Sequence, residues 1–340
     1  MSATKTQQPP ASLGPRPYLK DAQPNARIEG AFCIANCQLG KTRADKPYLR
    51  CLLSDKTGEV AGRMWSVDEA TFKRLPTDGF VWVDGETQPY QGELQLIIRT
   101  IEPLEPSLEQ IRDLLPASKF DPAVMFEELT KILGSLKHPA AKTLANTYLN
   151  DTYLMDLFRQ APAAKSMHHA FIGGLLEHTL QLLKLANAML PGYPKLNRDI
   201  VLLGLFLHDL GKTRELIFDR GFGYSDRGEL LGHVVDGAIM LHDKAQQAMH
   251  DSGQRFPANF VLILQHIIIS HHGIPEFGAA KIPATPEAIF VSMLDNLDAK
   301  TTMALAAARP EHAQSADLGG NFTEKVWGLD TKLFRVDPLA

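Results

Sequence analysis

The chain has 340 residues, more than one compact domain usually takes, and its net charge of −4 argues against a surface that binds polyanions over its whole area. No stretch approaches the ~20 consecutive apolar residues of a membrane-spanning helix, so we expect a protein without a membrane segment. Its three cysteines, Cys33, Cys37 and Cys51, form no C-x-x-C motif, which favours reduced thiols and a cytoplasmic location.

The first part of the chain is predicted to be a polar tail followed by an all-β unit. Residues 1–17 contain no apolar core and are predicted to be a disordered tail. Residues 18–105 contain β-rich runs of alternating polarity, separated by turns that contain Asp and Gly. This pattern predicts one strand and then two hairpins, which together form a small closed barrel.

One hairpin of this unit has the sequence YLRCLLSDKTGEVAGRMW, residues 48–65. It resembles the OB-fold modules that bind single-stranded nucleic acid, in which a strand, a DxTG turn and a second strand ending in Trp recur. The resemblance implies a groove where aromatic rings stack on bases and cations follow the phosphates. For the rings the competing interpretation is packing in the barrel core, and for the cations it is a solvated surface. The predicted nucleic-acid-binding residues are Tyr48, Arg50, Lys56, Arg63, Trp65 and Tyr90.

Beyond Pro103 and Pro106 the apolar periodicity becomes helical. Residues 106–160 are predicted to be a helical connector, in which Asp121 caps a helix that begins with Pro122. Residues 161–310 are predicted to be an all-α bundle and residues 311–340 a C-terminal tail. The predicted fold class is therefore multidomain α and β, with an OB-like barrel before a helical bundle.

Histidines and aspartates recur on the apolar helical segments of residues 161–310. The stretch LLGLFLHDLGKT places His208 and Asp209 at the end of a buried helix, where an unpaired carboxylate would cost several kcal/mol. Imidazole and carboxylate ligands suit Mn²⁺, Fe²⁺, Co²⁺, Ni²⁺ or Zn²⁺ better than Ca²⁺, and seven ligands suit two ions better than one. Core histidines with satisfied hydrogen bonds are the competing interpretation. The predicted metal ligands are His178, His208, Asp209, His233, His271, His272 and Asp295.

The ordered series, together with HDLGK and the closing DNLDA, is similar to the HD superfamily of metal-dependent phosphohydrolases. The resemblance implies that Asp209 bridges two divalent ions. It also implies that one ion is held by His178, His208 and Asp295, and the other by His233, His271 and His272. Two such ions can clamp a phosphodiester and activate water, so hydrolysis of a P–O bond is the expected reaction.

Four other residues are predicted to act around these ligands. Lys212 follows the ligand pair and is predicted to neutralise a phosphate oxygen, so that Asp209 and Lys212 form the catalytic pair. The competing role for Lys212 is to complement a helix dipole. His168 and His169 are predicted to line or support the pocket. Asp298 shares a helix face with Asp295 and is predicted either to orient an imidazole or to pair with Lys300.

An OB-like barrel, a helical connector and an HD domain together resemble the YhaM family of bacterial 3′→5′ exoribonucleases. The stretches that carry this resemblance are YLRCLLSDKTGEVAGRMW, PAAKSMHHAFIGGLLEHTL, LFLHDLGK, ISHHGIPEFG and LDNLDAK. The resemblance implies metal-dependent trimming of single-stranded RNA, and in some cases DNA, from the 3′ end.

Two alternatives remain open from the sequence. One is a nucleotide or cyclic-dinucleotide phosphohydrolase in which the barrel is regulatory. The other is a non-catalytic RNA-binding adaptor whose HD domain holds metal only for stability. The identity of the metal, the choice between RNA and DNA, and the formation of homo-oligomers are also left open.

Overall fold

The computed structural model describes most of the chain in two compact units. These are Met1–Ala117 with Ile217–Gly223, and Ser118–Leu216 with Tyr224–Ala340. The predicted tail 1–17 and the pair His168 and His169 lie outside the described residues. The described residues are 18–42, 46–76, 79–90, 93–106, 111, 114–115, 118–163, 171–217, 223–309, 321–323, 325–336 and 339.

The described helices include none that combines the length and the apolar character needed to cross a membrane.

The first unit contains a closed five-stranded β-barrel with the strand order β1-β2-β3-β5-β4. Strands β3 and β5 are parallel, whereas the other neighbouring strands are antiparallel. A short helix, α1 (Glu69–Arg74), lies between β3 and β4 in the sequence. The predicted OB-like barrel is thereby confirmed. The strands are β1 (Arg27–Lys41), β2 (Pro47–Asp55), β3 (Gly58–Trp65), β4 (Gly79–Tyr90) and β5 (Glu93–Pro103).

Alternation of polarity explains how the barrel fills its interior. In β2 the side chains of Leu49, Cys51 and Leu53 are buried, while Tyr48 and Arg50, which alternate with them along the strand, are on the outer face. Successive side chains of a strand point to opposite faces, so this pattern places one set in the core and the other on the surface. The core is completed by apolar residues of the other strands, including Ile28, Phe32, Val81 and Leu96.

The second unit is helical. Its first helix begins as predicted, because the side chain of Asp121 accepts a hydrogen bond from the Ala123 backbone N–H and Pro122 is the first helical residue. In the sequence, two short paired strands, β6 (Leu216–Ile217) and β7 (Gly223–Tyr224), lie between the helices at a boundary of this unit. The helices are α2 (Pro122–Gly134), α3 (Pro139–Leu149), α4 (Thr152–Gln160), α5 (Gly174–Met189), α6 (Arg198–Leu207), α7 (Lys212–Glu215), α8 (Asp226–Ser252), α9 (Phe260–Ser270) and α10 (Pro286–Ala308).

Two glycines allow the ligand-bearing segments to lie close together. A Cβ atom at Gly211 would lie 2.1 Å from the backbone oxygen of His233, so no other residue fits between these segments. Helix α8 is interrupted at Gly232, whose φ of 68° is in the left-handed region. The break comes directly before His233 and therefore sets the direction from which this side chain approaches its neighbours.

The C-terminal segment, predicted as a tail without periodicity, contains local β-structure among its described residues. Isolated bridges join Phe322 to Phe334 and Val326 to Thr331. The rings of Phe322 and Phe334 are in contact, with centroids 5.3 Å apart. Such short bridges give no periodic signal in the sequence.

Candidate functional site

All seven predicted metal ligands gather in the helical unit, in two groups. The first cluster consists of His178, His208 and Asp295, and the second cluster of Asp209, His233, His271 and His272. Within each cluster the ligand atoms lie within 4.8 Å of one another. The side chains come from α5, the end of α6, α8, the end of α9 and α10, so helices distant in sequence contribute to one centre.

The carboxylate of Asp209 lies between the two clusters. Its Oδ2 is 3.4 Å from His208 Nε2 and 3.9 Å from His178 Nε2. Its Oδ1 is 3.5 Å from His233 Nε2 and 3.5 Å from His271 Nε2. Each oxygen thus faces one cluster, which is the arrangement that a carboxylate bridging two cations requires.

The five imidazoles are oriented by contacts to Nδ1. A backbone carbonyl can only accept, so an Nδ1 beside a carbonyl carries the proton and the Nε2 of that ring presents its lone pair. Acceptors on Nδ1 are typical of metal-binding histidines. The Nδ1 contacts are His178 to Asp298 Oδ2 (2.9 Å), His208 to Leu205 O (2.7 Å), His233 to Glu215 Oε1 (3.0 Å), His271 to Ile268 O (2.7 Å) and His272 to Phe277 O (2.6 Å).

Several buried atoms at the centre have no hydrogen-bond partner among the described residues. They are His208 Nε2, Asp209 Oδ1 and His271 Nε2. In addition, the Nε2 atoms of His233 and His272 lie 3.1 Å apart. Buried polar atoms without partners are costly, and a divalent cation would satisfy acceptors that point at each other. Nitrogen and oxygen donors without thiolate fit the transition-metal ions predicted from the sequence.

The electrostatic environment keeps most ligands in the form that binds metal. Burial lowers the pKa of the His271 imidazole to about 3, although Asp209 opposes the shift. Burial would raise the pKa of Asp209, but Lys212 and His208 hold it well below its usual value. The pKa of Asp295 is likewise held low against burial by the hydrogen bond from His178. Neutral imidazole and ionised carboxylate are the states that coordinate cations.

His178 is the exception. Burial alone would lower the pKa of its imidazole, but its contacts with Asp295 and Asp298 outweigh this effect and raise the pKa to about 9. His178 Nε2 lies 3.2 Å from Asp295 Oδ1, while Nδ1 faces Asp298. The two carboxylates therefore favour the protonated, positively charged form of the His178 imidazole.

Lys212 is the first residue of α7, and its Nζ lies 2.6 Å from Asp209 Oδ2. Its side chain is 16% exposed. This contact pairs Lys212 with a predicted metal ligand. Its predicted contact with a phosphate oxygen stays a prediction.

Glu215 is a site residue that the sequence did not indicate. Its Oε1 accepts a hydrogen bond from the backbone N–H of His233 at 3.0 Å and also lies 3.0 Å from His233 Nδ1. The two residues are eighteen positions apart. The only sequence signal is the proximity of Glu215 to the HDLGK motif, which does not reveal its partner.

On the outer face of the barrel, aromatic and cationic side chains lie side by side. The rings of Tyr48 and Trp65 are cross-strand neighbours with centroids 5.3 Å apart. Arg50 and Arg63 are the next pair on the same face, and the Arg63 guanidinium lies 5.1 Å from the centroid of the Tyr90 ring. These five residues are called the barrel patch below.

Exposure distinguishes the barrel patch from core residues. Trp65 is 47% exposed and Tyr90 is 46% exposed, so the competing interpretation of these rings as barrel core is wrong. Arg50 donates a hydrogen bond from Nε to Gln38 Oε1 at 3.0 Å, which holds its guanidinium along the surface. Lys56 lies apart from the patch, in the β2–β3 turn, with Nζ 4.7 Å from the centroid of the Tyr18 ring.

A helical unit that gathers this series of histidines and aspartates is the mark of an HD-domain protein, and the HD domain model matches residues 175–300. Over 314 residues the chain is 34% identical to the 3′-5′ exoribonuclease YhaM of Geobacillus sp. (strain WCH70), with 91% of each chain covered. It is 33% identical to the 3′-5′ exoribonuclease YhaM of Bacillus subtilis (strain 168), over 91% of this chain and 94% of that one. The chain belongs to the YhaM family.

Among solved structures, the second OB-fold domain of replication protein A from Methanococcus maripaludis is similar to part of the chain. The two are 17% identical, and the similarity covers 26% of this chain and 95% of that one, with a TM-score of 0.21. We draw no functional conclusion from so limited a similarity.

Proposed function

We propose that the protein is a metal-dependent 3′→5′ exoribonuclease that hydrolyses phosphodiester bonds of single-stranded RNA. The observation that carries this proposal is the convergence of five imidazoles on Asp209 and Asp295 in the helical unit. Family membership supports the direction and the substrate, since relatives matched over nine-tenths of the chain carry the name 3′-5′ exoribonuclease.

The centre would hold two divalent ions, one in each cluster, drawn from Mn²⁺, Fe²⁺, Co²⁺, Ni²⁺ and Zn²⁺. Bound as a pair, such ions stabilise the charge of a phosphodiester and lower the pKa of water towards neutrality. Asp209 would bridge them, because each of its oxygens already faces the imidazoles of one cluster. The contacts to Nδ1 hold the rings in place, so little reorganisation is needed on binding.

Lys212 would bind the phosphate. Its ammonium group now shares Asp209 Oδ2 with the first cluster. With an ion held by that oxygen, Asp209 would be a weaker acceptor for Lys212, whose ammonium group would then be available to a phosphate oxygen of the substrate. A cation in this position offsets the negative charge that develops as the P–O bond breaks.

The barrel patch would bind the single strand. Exposed aromatic rings stack on bases whatever their identity, and arginines neutralise phosphates, so the combination suits RNA of any sequence and also accepts single-stranded DNA. The exposed rings of Trp65 and Tyr90 and the neighbouring Arg50 and Arg63 provide both elements on one face.

A cytoplasmic location fits this activity. The structure forms no disulfide at Cys33, Cys37 or Cys51 among the residues that it describes. Free thiols persist in reducing compartments.

The direct test uses oligoribonucleotides labelled at the 5′ or the 3′ end and each of the five metals in turn. A 5′-labelled strand should give a ladder of progressively shorter products, and a 3′-labelled strand should release the labelled nucleotide first. Shortening from the 5′ end, or no shortening with any of the metals, would contradict the proposal. Turnover of mononucleotides or cyclic dinucleotides without turnover of oligonucleotides would favour the phosphohydrolase alternative.

A further inference from the structure

The loop that follows His272 carries an aromatic residue, Phe277, whose backbone contacts the second cluster. The backbone oxygen of Phe277 accepts the Nδ1–H of His272 at 2.6 Å, so the residue is separated from the ligand atom Nε2 by a single imidazole ring. Phe277 is nevertheless 61% exposed. Phe277 is thus a large apolar residue that contacts a predicted metal ligand and is exposed to solvent. It is therefore available to contact a molecule bound at this centre.

The loop holds Phe277 in a defined position. The residue ends a 3₁₀ turn, Pro275–Phe277, and is followed by Gly278, whose φ of 98° only glycine adopts readily. The loop is also tied back to the end of α9. Its backbone hydrogen bonds include Gly273 N to Ser270 O (2.9 Å), Phe277 N to Ile274 O (3.1 Å), Gly278 N to Pro275 O (2.9 Å), Ala279 N to Ile274 O (3.2 Å) and Ala280 N to Ile269 O (2.9 Å).

Phe277 also lies beside a ligand that solvent can reach. The imidazoles of His178, His208 and His271 are buried, whereas His233, His272 and the carboxylate of Asp295 are partly exposed. The centre is therefore accessible at these three side chains, and Phe277 is hydrogen-bonded to His272. If a nucleotide is held at the centre by its phosphate, its base would lie near the loop that carries Phe277.

We propose that the ring of Phe277 stacks on the base of the 3′-terminal nucleotide. The inference rests on the proposed exonuclease function and deepens it. An internal base has a neighbour on each face, but the terminal base has no 3′ neighbour, so one of its faces is free. The ring of Phe277 covers this free face of the terminal base, and stacking on an aromatic side chain tolerates every base. Phe277 thereby favours binding of the 3′ end over binding of an internal nucleotide.

The test combines protein variants with substrates that lack one base. Phe277→Ala removes the ring, and Phe277→Trp keeps an aromatic face. Ile282→Ala is the matched control, because Ile282 is 65% exposed in the same loop and cannot stack. Each is assayed on an oligoribonucleotide with a normal 3′ end and on one whose 3′-terminal ribose carries no base. Metal content is measured for every variant.

On the normal substrate, Phe277→Ala should raise KM about 5- to 100-fold, with a smaller change in kcat. Phe277→Trp and Ile282→Ala should stay within about twofold of the unaltered protein, well below the effect of one lost stack. On the substrate without the terminal base, Phe277→Ala and the unaltered protein should have the same KM. If Phe277→Ala loses metal, Phe277→Leu replaces it, since this change keeps bulk beside His272 but removes the aromatic face.

Two results would overturn the inference. One is an unchanged KM for the variant without the ring on the normal substrate. The other is an equal loss on both substrates, which would show that the effect does not involve the terminal base. Failure of the unaltered protein to shorten any oligonucleotide is a different result, because it would contradict the exonuclease proposal itself.

Discussion

The two ligand clusters share one construction but differ in their access to solvent. In each, one imidazole is oriented by a carboxylate: His178 by Asp298 in the first cluster and His233 by Glu215 in the second. The side chain of His178 is 3% exposed, whereas that of His233 is 12% exposed. The imidazoles are thus more enclosed in the first cluster than in the second, while the first cluster reaches solvent through Asp295, whose side chain is 20% exposed.

This difference in the exposure of the imidazoles indicates different roles for the two clusters on either side of Asp209. An ion in the first cluster would be held by two buried imidazoles, with negative charge supplied by Asp295 and Asp298. An ion in the second cluster would lie near solvent, among imidazoles whose pKa values are lowered by burial at His271 and His272. The first position suits tight binding, and the second suits exchange with water and contact with substrate.

Removal of the shared ligand should have the largest effect. Asp209→Asn keeps the shape of the side chain but removes the charge that both clusters face, so both ions should bind weakly. Exonuclease activity should fall about 10³-fold or more, since loss of one preorganised electrostatic contact alone commonly costs 10²–10³ in kcat.

Circular dichroism, metal analysis and RNA binding provide the control for this change. The exonuclease proposal requires Asp209→Asn to remain folded and to bind RNA while it fails to cleave. A variant that unfolds would instead support the adaptor alternative, in which the metal serves only stability.

A chelator should remove the ions of the two clusters at different rates. Brief treatment with a chelator should remove the ion of the second cluster first, because His233 and His272 are partly exposed, and activity should disappear when one metal per chain remains. Metal content and activity measured in the same samples over time test this order. Simultaneous release of both ions would show that the difference in exposure has no consequence for exchange.

The supporting carboxylates allow a matched comparison. Glu215→Gln and Asp298→Asn each replace a charged acceptor on an imidazole by a neutral one, and loss of such a partner typically costs about 10- to 100-fold in metal affinity or activity. We expect Glu215→Gln to weaken the more exchangeable ion and Asp298→Asn the retained one. Metal titration of both proteins tests this expectation. Identical titration curves for the two variants would contradict different roles for the two clusters.

Substitutions in the barrel patch should have the smallest effect. They should weaken the binding of RNA and leave the chemical step unchanged. Trp65→Ala should weaken binding of single-stranded RNA about 5- to 100-fold, as expected for the loss of one stacking ring. Arg63→Gln should lower the slope of log affinity against log salt by about 1. Tyr153→Ala is the control, since Tyr153 is 74% exposed in the other unit. Equal effects of the Trp65 and Tyr153 changes in a fluorescence anisotropy assay would exclude the patch as the binding surface.

The sequence by itself determined the elements that depend on local pattern. Alternating polarity in β2 and β3 predicted the barrel hairpin, and Asp121 before Pro122 predicted the start of a helix. The ordered histidines and aspartates, with HDLGK, predicted the seven residues that the structure gathers in two clusters. Backbone conformation could be predicted because it depends on neighbours along the chain. The seven residues could be predicted because the order of motifs in a family can be compared without coordinates.

Only the tertiary structure decided which side chains meet. Glu215 contacts His233 across the break at Gly232, and Asp298 faces His178 on another helix, although its position also allowed a pair with Lys300. Trp65 could have filled the barrel, but the direction of β3 turns it outward. Such contacts depend on how distant segments pack, as at Gly211, where one added carbon would collide with the backbone of His233. No pattern local to the chain encodes that distance.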